Sequence, residues 1–302
     1  MNNITILSNE QIFGEDRLDI FKKYGANATI TDFAILLGGF NVSFGNSLED
    51  RTSYYWTKSL EGDGHVRVIF NDATNIWGNP YERDNAIRLA SQYSHINLIS
   101  KDVVSGSPTT SEIEYGEYPQ KAVNKELKNS LEKEYRKSRL KTTGKVYTTD
   151  SRIWNKHAEG FLPKEHVEQE YEGKRYVRVK SNLSIDNTQL SNGSIVENGD
   201  YVWVEVEPIT WLVDEKTGII VSKKLLFSGV RFDGKDKYDG DFESTEMKKF
   251  IDNYFSKEIE VIAIKAIEPT PEKEFETEEE LDEYISFKLA EARKRLTLLG
   301  KK

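Results

Sequence analysis

Apolar positions in the first third of the chain switch between a helical and a strand period. In residues 16–24, Leu18, Phe21 and Tyr24 share one helix face, and Gly25 stands where a left-handed residue ends many helices, so a short helix closing at Gly25 is expected. Residues 30–37 are a mostly apolar run halted by Gly38-Gly39, which reads as a turn because no phosphate-cradling glycine pattern surrounds it. His65-Val66-Arg67-Val68-Ile69-Phe70 reads as a strand, and residues 71–75 supply turn formers before Ile76-Trp77, which gives a hairpin. Residues 71–85 also hold Gly78, Pro80 and four Asn, so this stretch is expected to be rich in loop.

Ser105-Gly106-Ser107-Pro108-Thr109-Thr110 reads as a connector. Beyond it, Val123, Leu127, Leu131 and Tyr135 recur every four residues amid Lys and Glu, the stripe of a helix with one buried face. From Tyr176 the pattern turns to strands, at 176–179, 201–206 and 209–213, and 214–218 turns the chain into Ile219-Ile220-Val221. Ser244 or Thr245 caps a helix with Met247, Phe250, Ile251, Tyr254 and Phe255 on its apolar face, followed by a strand at 259–267. The last segment runs from acidic (Glu272 to Glu283) to basic (Arg293 to Lys302) over a Leu281, Ile285, Leu289, Ala292, Leu296, Leu299 stripe, an order that complements a helix dipole.

Composition then narrows the chemistry. With 302 residues the chain holds two domains or one large one, and its 37% hydrophobic content is enough to build a core. The absence of cysteine removes disulfide frameworks, thiolate nucleophiles, zinc ribbons and iron–sulfur clusters. The net charge of −9 is a poor match to a polyanion unless basic residues segregate onto one face, so nucleic acid is set behind other partners. No window supplies the ~20 apolar residues of a membrane helix and the N-terminus lacks the features of a leader, so a soluble, unprocessed chain is expected.

Two groups of residues carry a family likeness. Tyr115-Gly116-Glu117-Tyr118-Pro119-Gln120, followed by Pro208-Ile209-Thr210-Trp211-Leu212-Val213, Ser222-Lys223-Lys224-Leu225-Leu226 and residues 242–250, resembles the opening half of one superfamily. Ser53-Tyr54-Tyr55-Trp56-Thr57-Lys58-Ser59, Val66-Arg67-Val68 and Arg83-Asp84-Asn85-Ala86-Ile87-Arg88-Leu89-Ala90 are similar to its closing segment, with Leu89 where the family commonly has Pro. The superfamily is that of the formylglycine-generating enzymes and C-type lectins, in particular its bacterial and phage proteins of the domain-of-unknown-function 6273 type. Here the closing part precedes the opening part.

That resemblance implies an α+β fold, C-type-lectin-like and circularly permuted or composite, with small antiparallel sheets, flanking helices, long loops and a C-terminal helix. It divides the chain into a closing segment with candidate ligand loops (1–104), an opening segment with hairpins and a helix at 245–255 (105–268), and the charged amphipathic tail (269–302). One permuted or composite body is favoured over two independent domains, since the termini of compact domains often lie close together. Cysteine-dependent formylglycine generation is excluded by composition. The histidine-bound iron of sulfoxide-synthase relatives would have to use His65, His95, His157 and His166, none of them paired at i, i+4. A metal-dependent oxidase of the superfamily therefore stands third among the readings, and no cofactor and no metal site are assigned.

The acidic run Asp233, Asp236, Asp239, Asp241 and Glu243 reads as a solvated turn, or else as a Ca²⁺ loop without EF-hand spacing. No GxSxG motif or single carboxylate dyad marks a hydrolase. Residues 54–88 instead have the composition of a contact surface, because Tyr and Trp give large area at low entropy cost and Asn gives adaptable hydrogen bonding. Similarity to the variable proteins of diversity-generating retroelements places the ligand face at 71–85. Asn71, Asn75, Trp77, Asn79, Tyr81 and Asn85 are the expected ligand-binding residues, and Tyr54, Trp56, Val66 and Val68 the expected core. The plainer alternative makes Trp56 and Trp77 core aromatics and Arg67, Arg83 and Arg88 structural ion-pair partners.

The function expected is thus a non-enzymatic binding protein that presents loops on a lectin-like scaffold to a macromolecule, protein first and glycan second. The alternative is a phage-encoded inhibitor of a bacterial defence system acting by protein–protein binding. No membrane partner is expected; the C-terminal helix is expected to dock on its own domain or else on a partner, a homo-oligomer through that helix being one such outcome, and the location is the bacterial cytoplasm or a phage particle.

Overall fold

The computed structural model describes residues 4–41, 48, 50–70, 72–82, 84–92, 110–138, 146–155 and 160–255. Contacts group Met1–Ile264 as one unit and Lys265–Lys302 as another. The strand expected at 259–267 and the tail helix lie outside the described residues, as does most of the connector at 105–110.

The chain opens with β1 (Thr5–Ile6) and α1 (Asn9–Phe13), the latter started by a capping box between Ser8 and Gln11. Helix α2 (Asp19–Tyr24) ends at Gly25 as expected, with a positive φ of 76° but an extended ψ of 177° in place of the left-handed helical pair. The apolar run divides into β2 (Thr29–Ile30) and α3 (Asp32–Leu36), which Thr31 caps by accepting the Ala34 N–H at 3.1 Å.

β3 (Tyr55–Glu61), β4 (His65–Ile69) and β5 (Asn75–Gly78) form a three-stranded antiparallel sheet. The hairpin expected from the turn formers at 71–75 is present, with Ile76 paired to Val68 and Gly78 to Val66, and the described residues of 71–85 outside β5 are mostly loop. β6 (Leu89–Gln92), β7 (Thr110–Ala122) and α4 (Lys125–Ser138) follow, then the hairpin of β8 (Val146–Asn155) and β9 (Gly160–Glu165). Next come β10 (Val167–Tyr171), β11 (Lys174–Lys180), the small hairpin of β12 (Thr188–Gln189) and β13 (Ile195–Val196), and β14 (Tyr201–Asp214). β15 (Ile219–Ser222), β16 (Lys224–Leu225) and α5 (Glu246–Phe250) close the described part, α5 running on into a π-helical turn, Ile251–Phe255.

The architecture is α+β, with mostly small antiparallel sheets and few helices. Its largest sheet runs β1-β6-β15-β14-β11-β10, with β7 on the other edge of β14. β11 pairs with the start of β14 and β15 with its end, while β7 follows it from Val204 to Asp214. Strands from before and after residue 104 thus share one sheet, and the main core draws Ile6, Phe33, Trp56, Tyr118, Trp211 and Phe227 from both. A second cluster lies beneath α4, where Val123, Leu131, Tyr176 and Trp203 are buried with Leu127 and Tyr135 against them, the stripe expected from sequence.

Residues of the family-like motifs turn out to have structural work. Gly116, at φ 71°, lies in the irregularity of β7 opposite Pro208 and Thr210. Tyr118 packs edge-on to Phe33 with ring centroids 5.5 Å apart. Gln120 is buried and donates from Nε2 to the Glu207 and Pro208 carbonyls at 3.1 and 2.7 Å. Arg88, 2% exposed, donates to the Ala26 and Ser222 carbonyls at 3.0 and 3.1 Å and lies against Phe21 and Tyr55.

Candidate functional site

Strand alternation on the three-stranded sheet sorts its side chains into two faces. Trp56, Val66, Val68 and Gly78 turn inward and are buried, as the core expectation required for Trp56, Val66 and Val68. Tyr54 is half-buried, stacked between Phe40 at 4.9 Å and Phe70 at 4.2 Å. The outward face carries Glu61, His65, Arg67 and Trp77, with Arg67 opposite Trp77; Asn75 shares that side but lies opposite Ile69, which is fully buried, so the face is covered at that end.

Trp77 is 57% exposed and is steadied by a tilted contact with the His65 ring at 4.5 Å. Arg67 forms an ion pair with Glu61 across the face. Tyr81, 46% exposed, stands in the loop beyond β5. A large aromatic exposed to this degree yet held in place has little entropy left to lose on binding, the property that makes Trp and Tyr frequent anchors.

The remaining expected ligand residues divide. Asn75 donates from Nδ2 to Asn9 Oδ1 at 2.7 Å, which ties β5 to α1. Asn79 donates to Glu82 Oε1 at 2.8 Å inside its own loop. Asn85 is only 4% exposed, so it does not stand on the contact surface where sequence placed it. The chain is drawn inward there by the Ala86 N–H to Tyr54 carbonyl bond at 2.8 Å and the Ile87 N–H to Phe227 carbonyl bond at 2.9 Å. Asn71 lies outside the described residues.

Sequence reasoning missed what backs this face. The acidic loop after Phe232 packs on the inward side of the sheet, Phe232 against Trp56 at 5.4 Å and Tyr238 against Phe232 at 4.9 Å; Asp233 N–H donates to the Pro80 carbonyl at 2.9 Å, Tyr238 N–H to the Gly64 carbonyl at 2.8 Å, and Tyr238 Oη to the Lys58 carbonyl at 2.9 Å. Burial, with Asp239, Asp241 and Asp233 nearby, raises the Tyr238 phenol well above its ordinary value, so it stays a donor. The one signal in the sequence was Tyr238 itself, an aromatic set among Asp and Lys.

The acids of this loop serve their own backbone. Asp233, Asp239 and Asp241 accept the N–H groups of Gly234, Asp241 and Glu243, and Lys235 Nζ lies 3.5 Å from Asp239 and 4.0 Å from Asp233. Among the described residues no three His, Asp or Glu gather as metal ligands; His95 and His157 lie outside them.

A second concave surface, about 520 Å³, opens along β14 where β11 has left its edge and β15 has not begun. Its charges neutralise one another: Arg175 pairs with Glu117 and with Glu168 at 3.1 Å, and Lys174 with Glu205 at 2.5 Å. Burial raises the Glu207 carboxyl, against the pull of Lys224.

Among the described residues no helix is long and apolar enough to cross a membrane. Comparison of the chain with protein-family models, curated proteins and solved structures finds no match.

Proposed function

We infer that the chain is a binding protein on a C-type-lectin-like scaffold, permuted or composite, whose β3–β4–β5 face takes a protein ligand without catalysing a reaction on it. The observation that carries this reading is Trp77, 57% exposed and braced by His65 beside an Arg67–Glu61 pair, with Tyr81 at the rim. An aromatic anchor amid polar groups is the arrangement in which binding energy concentrates, and substitution of such an anchor typically costs 2 kcal/mol or more, roughly thirtyfold in affinity. Asn75 and Asn79 support the loop shape here, and their amides are already engaged.

A comparative capture experiment tests it. Wild type, Trp77→Ala and the distant surface variant Glu215→Gln are immobilised, bacterial lysate is passed over each, and bound proteins are identified by mass spectrometry, with a glycan array run in parallel. The reading expects a protein retained by wild type and Glu215→Gln and lost with Trp77→Ala. Retention of the same set by all three would overturn it, and Trp77-dependent signal on the array alone would move the ligand class to glycan.

A further inference from the structure

The chain is acidic overall, yet α4 gathers cations on one face. Lys128, Lys133, Arg136 and Lys137 line a groove completed by Arg178 of β11 and Tyr201 of β14, and the lining carboxylate is Glu132. That carboxylate is already engaged by Arg178 Nε at 2.8 Å and Trp203 Nε1 at 3.0 Å. Lys128 and Lys133 have no ion-pair partner among the described residues, and Lys137 shares Glu134 at 2.8 Å.

Arg178 is built as a receptor group. Its guanidinium lies 3.7 Å from the Tyr201 ring centre and 4.7 Å from that of Tyr135, and Glu132 fixes its Nε. Both terminal nitrogens lack a hydrogen-bond partner among the described residues, and the side chain keeps 16% exposure. A guanidinium packed against two rings, with its fork left open, presents a pair of donors matched to an oxyanion.

We propose that this groove binds the phosphate groups of a single-stranded nucleic acid. Lys133 and Lys137 stand one helical turn apart, about 6 Å along the axis, and Lys128 and Arg136 about two turns apart, so the cations spread along and around the solvent side of α4 and can meet more than one phosphate of a repeating anion. Tyr201, 44% exposed, adds a stacking surface at the edge of the groove, and Asn129 adds an amide. A polycarboxylate peptide would use the cations and leave ring and amide idle, which favours nucleotides. The site is separate from the Trp77 face, so either reading can fail without the other.

The test is fluorescence anisotropy of the full chain with a labelled oligothymidylate about 12 nucleotides long, in about 50 mM salt. Binding is expected, weakening as salt rises. The Lys133→Glu/Lys137→Glu variant, altered only at exposed positions, should bind at least about tenfold more weakly while melting like wild type, and Tyr201→Ala several-fold more weakly. No binding by wild type, unchanged binding by the double variant, or displacement of the oligonucleotide by polyglutamate at equal charge would each overturn the proposal.

Discussion

Asp32 and Arg51 form an ion pair inside the protein, Oδ1 to Nη2 at 3.3 Å, with each residue 3% exposed. Asp32 also accepts the Ala122 and Ser191 N–H groups, both at 2.9 Å, and the Ser191 hydroxyl at 2.5 Å. One carboxylate at the start of α3 therefore ties down the end of β7 and the β12–β13 hairpin, while Arg51 reaches the Leu48 and Gln189 carbonyls. Removing one member of such a pair leaves the other buried without compensation, so Asp32→Ala should lower stability by about 3–5 kcal/mol in urea unfolding. A loss below about 1 kcal/mol would show that the pair is dispensable.

Glu246 sets a pH dependence. Burial pushes its carboxyl up to about 7, Arg231 opposing and Asp233 adding to the shift. The folded chain then holds this proton more tightly than the unfolded chain, whose value lies near the ordinary 4.5, so stability falls as pH rises between the two and the loss is complete above about pH 7. Because the group is partly in water the loss is about 1 kcal/mol, below the full conversion of the shift. Glu246→Gln should gain that amount over wild type at pH 8 and nothing at pH 4, read from paired thermal melts.

Glu132 couples α4 to the sheet. Burial raises its carboxyl, but the Arg178 hydrogen bond and charge, with Trp203 and Arg136, outweigh burial and hold it below the ordinary value. Glu132→Ala strands the Trp203 N–H and frees Arg178, and should cost about 2–3 kcal/mol. Trp203 fluorescence offers a direct monitor, and an unchanged denaturation midpoint would count against the coupling.

Gly229 has φ 76°, and a Cβ there would stand 2.6 Å from the Leu37 carbonyl oxygen. Gly229→Ala combines left-handed strain with a clash against backbone, and about 2 kcal/mol or more should be lost. Full stability in the variant would mean that the Leu37 turn relaxes freely.

Trp77→Ala separates an anchor from a structural residue. The side chain is mostly in water and its contact is with His65, so stability should change by less than about 1 kcal/mol. A much larger loss on calorimetry would make Trp77 part of the structural core.

Periodicity made the α4 stripe, the 214–218 hairpin and the Gly25 cap legible in the sequence, because each is decided by neighbours within a few residues. β14 was legible only in pieces, 201–206 and 209–213. Pro208 should break a central strand, but the irregular register there and the Gln120 side chain, which serves the Glu207 and Pro208 carbonyls, carry the strand through. Outward Trp77 and inward Trp56 follow from alternation once β5 is known to be a strand. Burial of Asn85 and the fixing of Arg178 depend on partners from remote segments, which no local pattern encodes.

The order of strands in the main sheet also governs how the chain is made. β1 and β6 leave the ribosome early, but the strand that attaches them to the sheet is β15, which follows β7, α4 and all of β14. Until Ile219–Ser222 emerges, the edge of β6 that β15 covers stays open, so β1 and β6 must wait for the rest of the molecule while β3, β4 and β5 can pair among themselves. Synthesis stalled before β15 leaves an open β-edge that nascent-chain chaperones, or a neighbouring copy, can occupy first.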